Sequence, residues 1–464
     1  MIATTDQSTL CALATASFIC YLLIKKSLKK KNDTDPHIIK CPLTEQEEKN
    51  KVMEASISTI TWFEGDFDST VNAIKKRVEE MVELNPWLLG KLKKEQGKVH
   101  LVFDYEESTG CVDCIFQTHY SQKLHLGVNI SEAISVASKE QITVKAAKDL
   151  INKDEPIFKV TFISNPNEQR NIFGMIVSLS HRVGDGYTFY NLYKMLDPRK
   201  DLKSLNPYRK SKVIERIETK LGKKMLEGIG GVWVTLLFVK SVLLSKLRGE
   251  RWEQKSLLVN PSFIEDMKNN TDLQEVDFIT TNDIITSTCF KLAKTDMGMM
   301  PINFRGRVED CGDLDAPNYM NTIMYRPADY DRPELIQKSL QLKVMKRASN
   351  PPTKEIPNDP TCLLKSINVT ICTNWTSFLK NDFSLGSKSK QLLHMPLKDM
   401  RYAAPSLISN VTIYKPISNL TALLITGTPE MVKRFEQHPM VQLSEKSPGL
   451  KELHEEAARQ FTNI

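Results

Sequence analysis

The chain has 464 residues, with 41 % hydrophobic and 26 % charged residues and a formal net charge of +7. It is long enough for two or three domains around a large core, and the balance excludes a disordered or fibrous protein. The charge points first to nucleic acid, but five lysines fall within Lys25–Lys31 (KKSLKKK), and without them only +2 remains. The excess is local, and no nucleic-acid partner is inferred.

Those lysines follow an uncharged run, Thr9–Ile24 (TLCALATASFICYLLI). A cleaved signal peptide carries its positive charge before the apolar run and small residues after it. Here the order is reversed and the run ends in Tyr21-Leu22-Leu23-Ile24. The sequence therefore predicts a single-pass N-terminal membrane anchor within residues 1–32. The positive-inside rule puts everything after it in the cytosol, on the endoplasmic reticulum or another endomembrane. The alternative is a non-spanning amphipathic or targeting segment. Nine cysteines, an odd number scattered from Cys11 to Cys372, suit a reducing compartment. Cys111 and Cys114 form a CxxC with no second pair nearby, so no metal is expected. The Asn374-Trp-Thr376 and Asn410-Val-Thr412 triplets sit in apolar, strand-like surroundings and read as chance.

In chain order, the apolar spacing predicts a helix over Asp68–Leu84, stopped by Asn85-Pro86, and a strand over Lys98–Tyr105. Ile172–Ser180 (IFGMIVSLS) is an apolar run of strand length, suited to burial on both faces, and a helical pattern starts at Gly186. A crossover occupies 204–256. Its middle, Gly231–Leu247, is greasy and broken by Lys240 and Lys246, which leaves two readings: a buried, domain-covering helix or one lying on the membrane. Beyond it come a helix (Thr281–Lys294), a strand (Met300–Phe304) and a charged helix (Pro333–Arg347). Strand-like runs follow at Ser366–Thr373, Leu407–Tyr414 and Leu420–Ile425, and then a helix at Pro429–Gln437. Strands and helices mix without regular alternation, so the class is mixed α/β, or α+β. The organisation is a lobe over 33–203, the crossover, and a second lobe over 257–464.

Two histidines begin an HxxxD. His100 and Asp104 lie within the alternating strand, about 13 Å apart by strand rise, and cannot cooperate. His181–Gly186 (HRVGDG) instead stands where a buried strand gives way to a helix, a place that presents a rigid side chain to a cleft. Gly184 is expected to permit a tight turn and Gly186 a close backbone approach. Asp185 can fold back onto an arginine and hold the loop. An imidazole with a pKa near 6.5 suits proton removal from a hydroxyl or amine at neutral pH. His394 and His438, near prolines in loop-like segments, read as surface or packing histidines.

SHRVGDGYTF resembles the active-site signature of the BAHD acyltransferases, within the chloramphenicol acetyltransferase-like superfamily that also holds condensation domains. Further segments match that family in order: NPWLLGKL (Asn85–Leu92); TTNDIITSTCFKLAK (Thr280–Lys294) with INFRGR (Ile302–Arg307) and NYMN (Asn318–Asn321); then TNW (Thr373–Trp375) and DFSLG (Asp382–Gly386). Together they span about residues 60–435. DFSLG lacks the family's usual glycine-tryptophan pair, and the anchor is atypical of the soluble members. Ser180 precedes His181 where condensation domains commonly carry a second histidine.

The resemblance implies two chloramphenicol acetyltransferase-like lobes with a channel between them and His181 at its centre. Acyl-CoA would be the co-substrate, with no bound cofactor and no acyl-enzyme, and His181 would be the general base on an alcohol or amine acceptor. Asp185 would pair with Arg305 and fix the loop. Thr373 and Trp375, with Asn374 as a third candidate, would face the oxyanion, although Trp375 is also readable as a core aromatic. Asp382, Phe383 and Gly386 would support the channel. The anchor favours a lipophilic acceptor, and the protein is expected to be a monomer. The rival from another class is a non-catalytic lipid- or protein-binding pair of lobes.

Overall fold

A computed structural model describes residues 37–105, 112–165, 171–221, 252–274, 276–341, 367–379, 383–386, 389–398 and 408–442, with four helical positions between 236 and 247. The anchor predicted at 1–32 lies outside the described residues. Among those described, no helix is long and apolar enough to cross a membrane.

Strands β1 (Ile38–Pro42), β3 (Lys91–Glu95) and β4 (Lys98–Asp104) make a small antiparallel sheet in the order β1-β4-β3. A five-stranded sheet is built on β2 (Ile57–Gly65), β5 (Phe116–Tyr120), β6 (Phe158–Ser164) and β7 (Ile172–Leu179). Its centre, β2 and β7, is almost wholly buried, as their continuous apolar and β-branched runs require. A six-stranded sheet holds β8 (Glu253–Leu258), β9 (Met297–Asn303), β10 (Met320–Tyr325), β11 (Val369–Asn374), β13 (Ile408–Tyr414) and β14 (Ala422–Gly427) in the order β10-β9-β11-β13-β14-β8.

One strand departs from sequence order. β12 (Ser389–Pro396), in the second half of the chain, runs antiparallel to β2 at the edge of the five-stranded sheet, with His394 opposite Thr61 and Met395 opposite Ile60. The expected border after residue 256 also falls inside β8. Local pattern reveals a strand but not its partner, so lobes cut by sequence order miss both features.

The five- and six-stranded sheets are covered by helices whose apolar stripe faces them. Helix Phe67–Leu84, capped by Asp66 and stopped at Asn85-Pro86, buries Ile74, Val78, Met81 and Val82 into a core shared with Phe63, Phe173 and Val177. Helix Thr281–Leu292 opens on a Thr280–Asp283 capping box and packs Ile284, Ile285, Cys289 and Phe290 against the six-stranded sheet. A third core joins the sheets. Ile60, Trp62 and Ile176 of one meet Leu258, Tyr414 and Leu424 of the other, with helix Ile130–Lys139 beside them.

The helix expected over Pro333–Arg347 is described as Pro333–Ser339. In the greasy crossover, Leu236, Leu243 and Leu247 are helical and 42 %, 56 % and 82 % exposed, so these positions do not fit a buried helix.

Candidate active site

The fully buried end of β7 delivers Ser180 and His181, and the chain turns at once into helix Gly186–Met195. Asp185 is that helix's N-cap, its Oδ1 accepting from the Thr188 N–H at 3.1 Å. Its Oδ2 accepts from Arg305 Nη1 at 2.8 Å and from the Tyr319 N–H at 3.0 Å. Arg305 also donates to the Asp315 and Pro317 carbonyls and to Asn303 Oδ1, and both side chains of the pair are within 2 % of full burial. The Asp185 carboxylate is thus spent on the helix cap, the β10 approach and Arg305. It braces the loop and tethers it to the second sheet.

His181 is oriented by a residue given no role from the sequence. Asn318 Nδ2 donates to the His181 carbonyl at 2.9 Å and to Glu47 Oε1 at 3.0 Å, both pure acceptors. The amide oxygen of Asn318 must therefore be the atom 3.1 Å from His181 Nδ1, and it accepts there. Nδ1 carries the proton, so Nε2 is the basic nitrogen of the neutral ring. Burial lowers the His181 pKa below its ordinary value, outweighing the opposing effects of Asp185 and Asn318, and the imidazole is neutral at pH 7. Burial pushes the Glu47 carboxyl up, but Arg209 (Nε to Oε2, 3.0 Å) and its hydrogen bonds bring it below the ordinary range, so it remains an acceptor. Glu47 closes a capping box with Thr44 in a stretch that reads from sequence as a polar tether, and Asn318 belongs to the NYMN run. Neither pattern says that the two meet His181.

His181 lines a cavity of about 1490 Å³ between the two sheets. Thr373, at the end of β11, and Trp375 line the same cavity. Trp375 is also half of the core reading, being 9 % exposed with its ring 5.8 Å from Tyr190. Asn374 is partly committed elsewhere: Nδ2 donates to Asn282 at 2.8 Å and Oδ1 accepts from Thr376. Only one of its two Nδ2 hydrogens is used there, and Asn374 lines the cavity too, so it stays the third candidate for the oxyanion.

The close approach expected at Gly186 falls instead at Gly184. Neither has a left-handed φ. A Cβ on Gly184 would stand 2.9 Å from Thr188 Cγ2 and 3.3 Å from the Ala316 carbonyl, so Gly184 is the position of close approach. A Cβ on Gly186 would meet Phe378 at an ordinary 3.5 Å. The other HxxxD, His100 and Asp104, lies along β4 as expected.

Asp382 lies outside the described residues. The rest of DFSLG packs away from the cavity: Phe383 is buried with its ring 4.5 Å from Tyr193, and Gly386 takes a φ of +115°. His394 is no loop residue. It lies on β12, 1 % exposed, with Nδ1 2.8 Å from Thr61 Oγ1 and Nε2 3.1 Å from Tyr190 Oη. The nearby prolines bound a strand, and burial pushes its pKa down to about 3.

No protein-family model matches the sequence, and no curated protein matches it. Solved structures do match in shape. TRI101 of F. graminearum, in complex with coenzyme A and deoxynivalenol, aligns at a TM-score of 0.57 with 12 % identity over 86 % of this chain and 97 % of that one. The fold is that of the chloramphenicol acetyltransferase-like and BAHD acyltransferases. Vinorine synthase aligns at 0.52 with 11 % identity, covering 86 % and 93 % of the two chains. The first condensation domain of the calcium-dependent antibiotic synthetase, with a substrate analogue, aligns at 0.53 with 11 % identity over 90 % and 96 %. At these identities the likeness is one of fold.

Proposed function

We propose that the protein is an acyl-CoA-dependent O-acyltransferase working as a monomer on the cytosolic face of an endomembrane. The observation that carries this reading is a His181 fixed in the Nδ1–H form beside a large cavity between the two sheets. The fold it shares with a protein solved with coenzyme A supports the donor. The acceptor hydroxyl gives its proton to His181 Nε2 as its oxygen attacks the thioester carbonyl. The tetrahedral intermediate expels the thiolate of CoA, which takes the proton back from His181. No acyl-enzyme is required, because the thioester is already activated and the cavity supplies proximity. The Thr373 hydroxyl and the Trp375 indole N–H are the donors for the oxyanion, a contribution of about 3 kcal/mol where one is removed. The apolar run at Thr9–Ile24 motivates both the anchor and a lipophilic acceptor.

Purified full-length protein in detergent, given labelled acyl-CoA and a pool of alcohols, should release free CoA, and His181→Ala should cut that release ~10²-fold or more. Equal turnover by the variant would sink the mechanism, and no turnover by either with any acceptor would favour a binding protein. Deletion of residues 1–32 should move the chain from the membrane to the soluble fraction.

A further inference from the structure

The ionised side chains around His181 are matched almost completely: Asp185 with Arg305, Glu47 with Arg209, and Glu54 with Arg182. Lys398, like Arg307, has no carboxylate match among the described residues. It lines the same cavity, just beyond β12, where the preceding Leu397 N–H donates to the Ser58 carbonyl at 2.8 Å. Its own carbonyl is held by Gln254, while its ammonium has no carboxylate partner among the described residues. Burial with nothing to offset it drops its pKa to about 8, and its charge reaches His181, whose pKa it helps to lower. At neutral pH most molecules therefore hold an uncompensated cation inside the cavity, an arrangement that costs stability unless a ligand supplies the counter-charge.

The opposite wall has different chemistry. Met297, Met299 and Met300 of β9 and Met320 and Met324 of β10 line it, giving an apolar surface of unbranched, adaptable side chains. Such a wall accepts a flexible hydrocarbon more readily than a rigid ring of fixed shape.

We propose that Lys398 is an anion-binding subsite, and that the ligand of this cavity is an anionic amphiphile whose carboxylate or phosphate docks on Lys398 while its apolar part lies along the methionine wall. The anion has two possible sources: an acid group on the acceptor or acyl chain, or a phosphate of coenzyme A. This rests on the acyltransferase reading only in calling the ligand a substrate; the binding itself requires no turnover.

The test is equilibrium binding to the full-length protein in non-ionic detergent, with palmitate, 1-hexadecanol and coenzyme A as probes. At pH 7 the wild type should prefer palmitate to the neutral alcohol ~10-fold. Lys398→Met should abolish that preference and Lys398→Arg should retain it. A loss of coenzyme A affinity in Lys398→Met, with palmitate unchanged, would also support the subsite and assign its anion to the donor. Thermal melting controls for folding, and Lys398→Met should melt no lower than wild type, because it removes a charge with no carboxylate partner from the cavity. Affinities of Lys398→Met for all three probes within ~2-fold of wild type would overturn the proposal. Because nothing is turned over, failure here would leave the acyltransferase reading standing, and an inactive enzyme would leave the binding result standing.

Discussion

Glu47 and Asn318 lie far apart in sequence, yet a carboxylate oxygen of Glu47 accepts from the Asn318 side-chain amide at 3.0 Å, and together with the amide's bond to the His181 carbonyl it sets which nitrogen of His181 holds its proton. Without these two bonds the amide of Asn318 could turn over and present an N–H to His181 Nδ1, moving the basic lone pair to the other side of the ring. Arg209 keeps Glu47 ionised, so three residues that do not line the cavity fix the protonation of the His181 ring.

Asn318→Ala should therefore lower kcat ~10-fold or more and also change its pH profile. In the wild type the acid limb falls below the ordinary histidine pKa of 6.5, because burial lowers that of His181. The Asn318 hydrogen bond works in the opposite direction, favouring the protonated ring, so its removal should move the limb to still lower pH. A slower variant with an unmoved limb would reduce Asn318 to a packing residue.

Breaking the Asp185–Arg305 pair from one side should damage fold and activity together. Asp185→Ala strands a fully buried guanidinium and removes the cap of helix Gly186–Met195, a loss of about 3–5 kcal/mol. Denaturant unfolding reads this directly. Asp185→Ala as stable as wild type but inactive would point instead to a chemical role for the carboxylate.

The glycines separate in the same assay. Gly184→Ala drives a methyl into Thr188 and the Ala316 carbonyl and should cost about 1–3 kcal/mol. Gly186→Ala meets only ordinary contacts and should unfold near the wild-type midpoint. The reverse order would contradict the packing of the loop.

His394 gives the protein an acid sensitivity unrelated to catalysis. Its folded pKa of about 3 lies below the unfolded value near 6.5, so the unfolded chain takes up a proton in that interval that the folded one refuses. The stability is complete above about pH 6.5 and drains away as the pH falls toward 3, by about 2 kcal/mol between pH 6.5 and 5 from this residue alone. His394→Gln does not titrate and should show a flatter fall in urea midpoint over that range.

Much of the site was legible because it is local. The buried β7, the turn at His181 and the helix after it are consecutive in sequence, and their periodicities change where the structure changes. Thr373 and Trp375 likewise follow directly from a strand. What was lost depends on pairing across the fold. The Ser389–Pro396 segment mixes lysine, glutamine, histidine and proline, a poor strand signal, and nothing local states that β2 is its partner. His394 was misread for that reason. Asn318 was visible as part of a motif, whereas Glu47 sits in a polar stretch that reads as a tether, and their meeting is tertiary. Sequence also could not tell which glycine of HRVGDG was crowded, since Ala316 comes from the other half of the chain.

The exchange of β12 bears on how this protein is made. A ribosome completes β2, β5, β6 and β7 long before Ser389–Pro396 emerges, and until then β2 is an open edge carrying Ile57, Ile60, Trp62 and Phe63. An unpaired, apolar strand of nine residues is a template for pairing with other chains. The first half of this polypeptide should consequently be insoluble when expressed alone and rescued by co-expression of the second. Attempts to produce the lobes separately should keep residues 389–396 attached to the first.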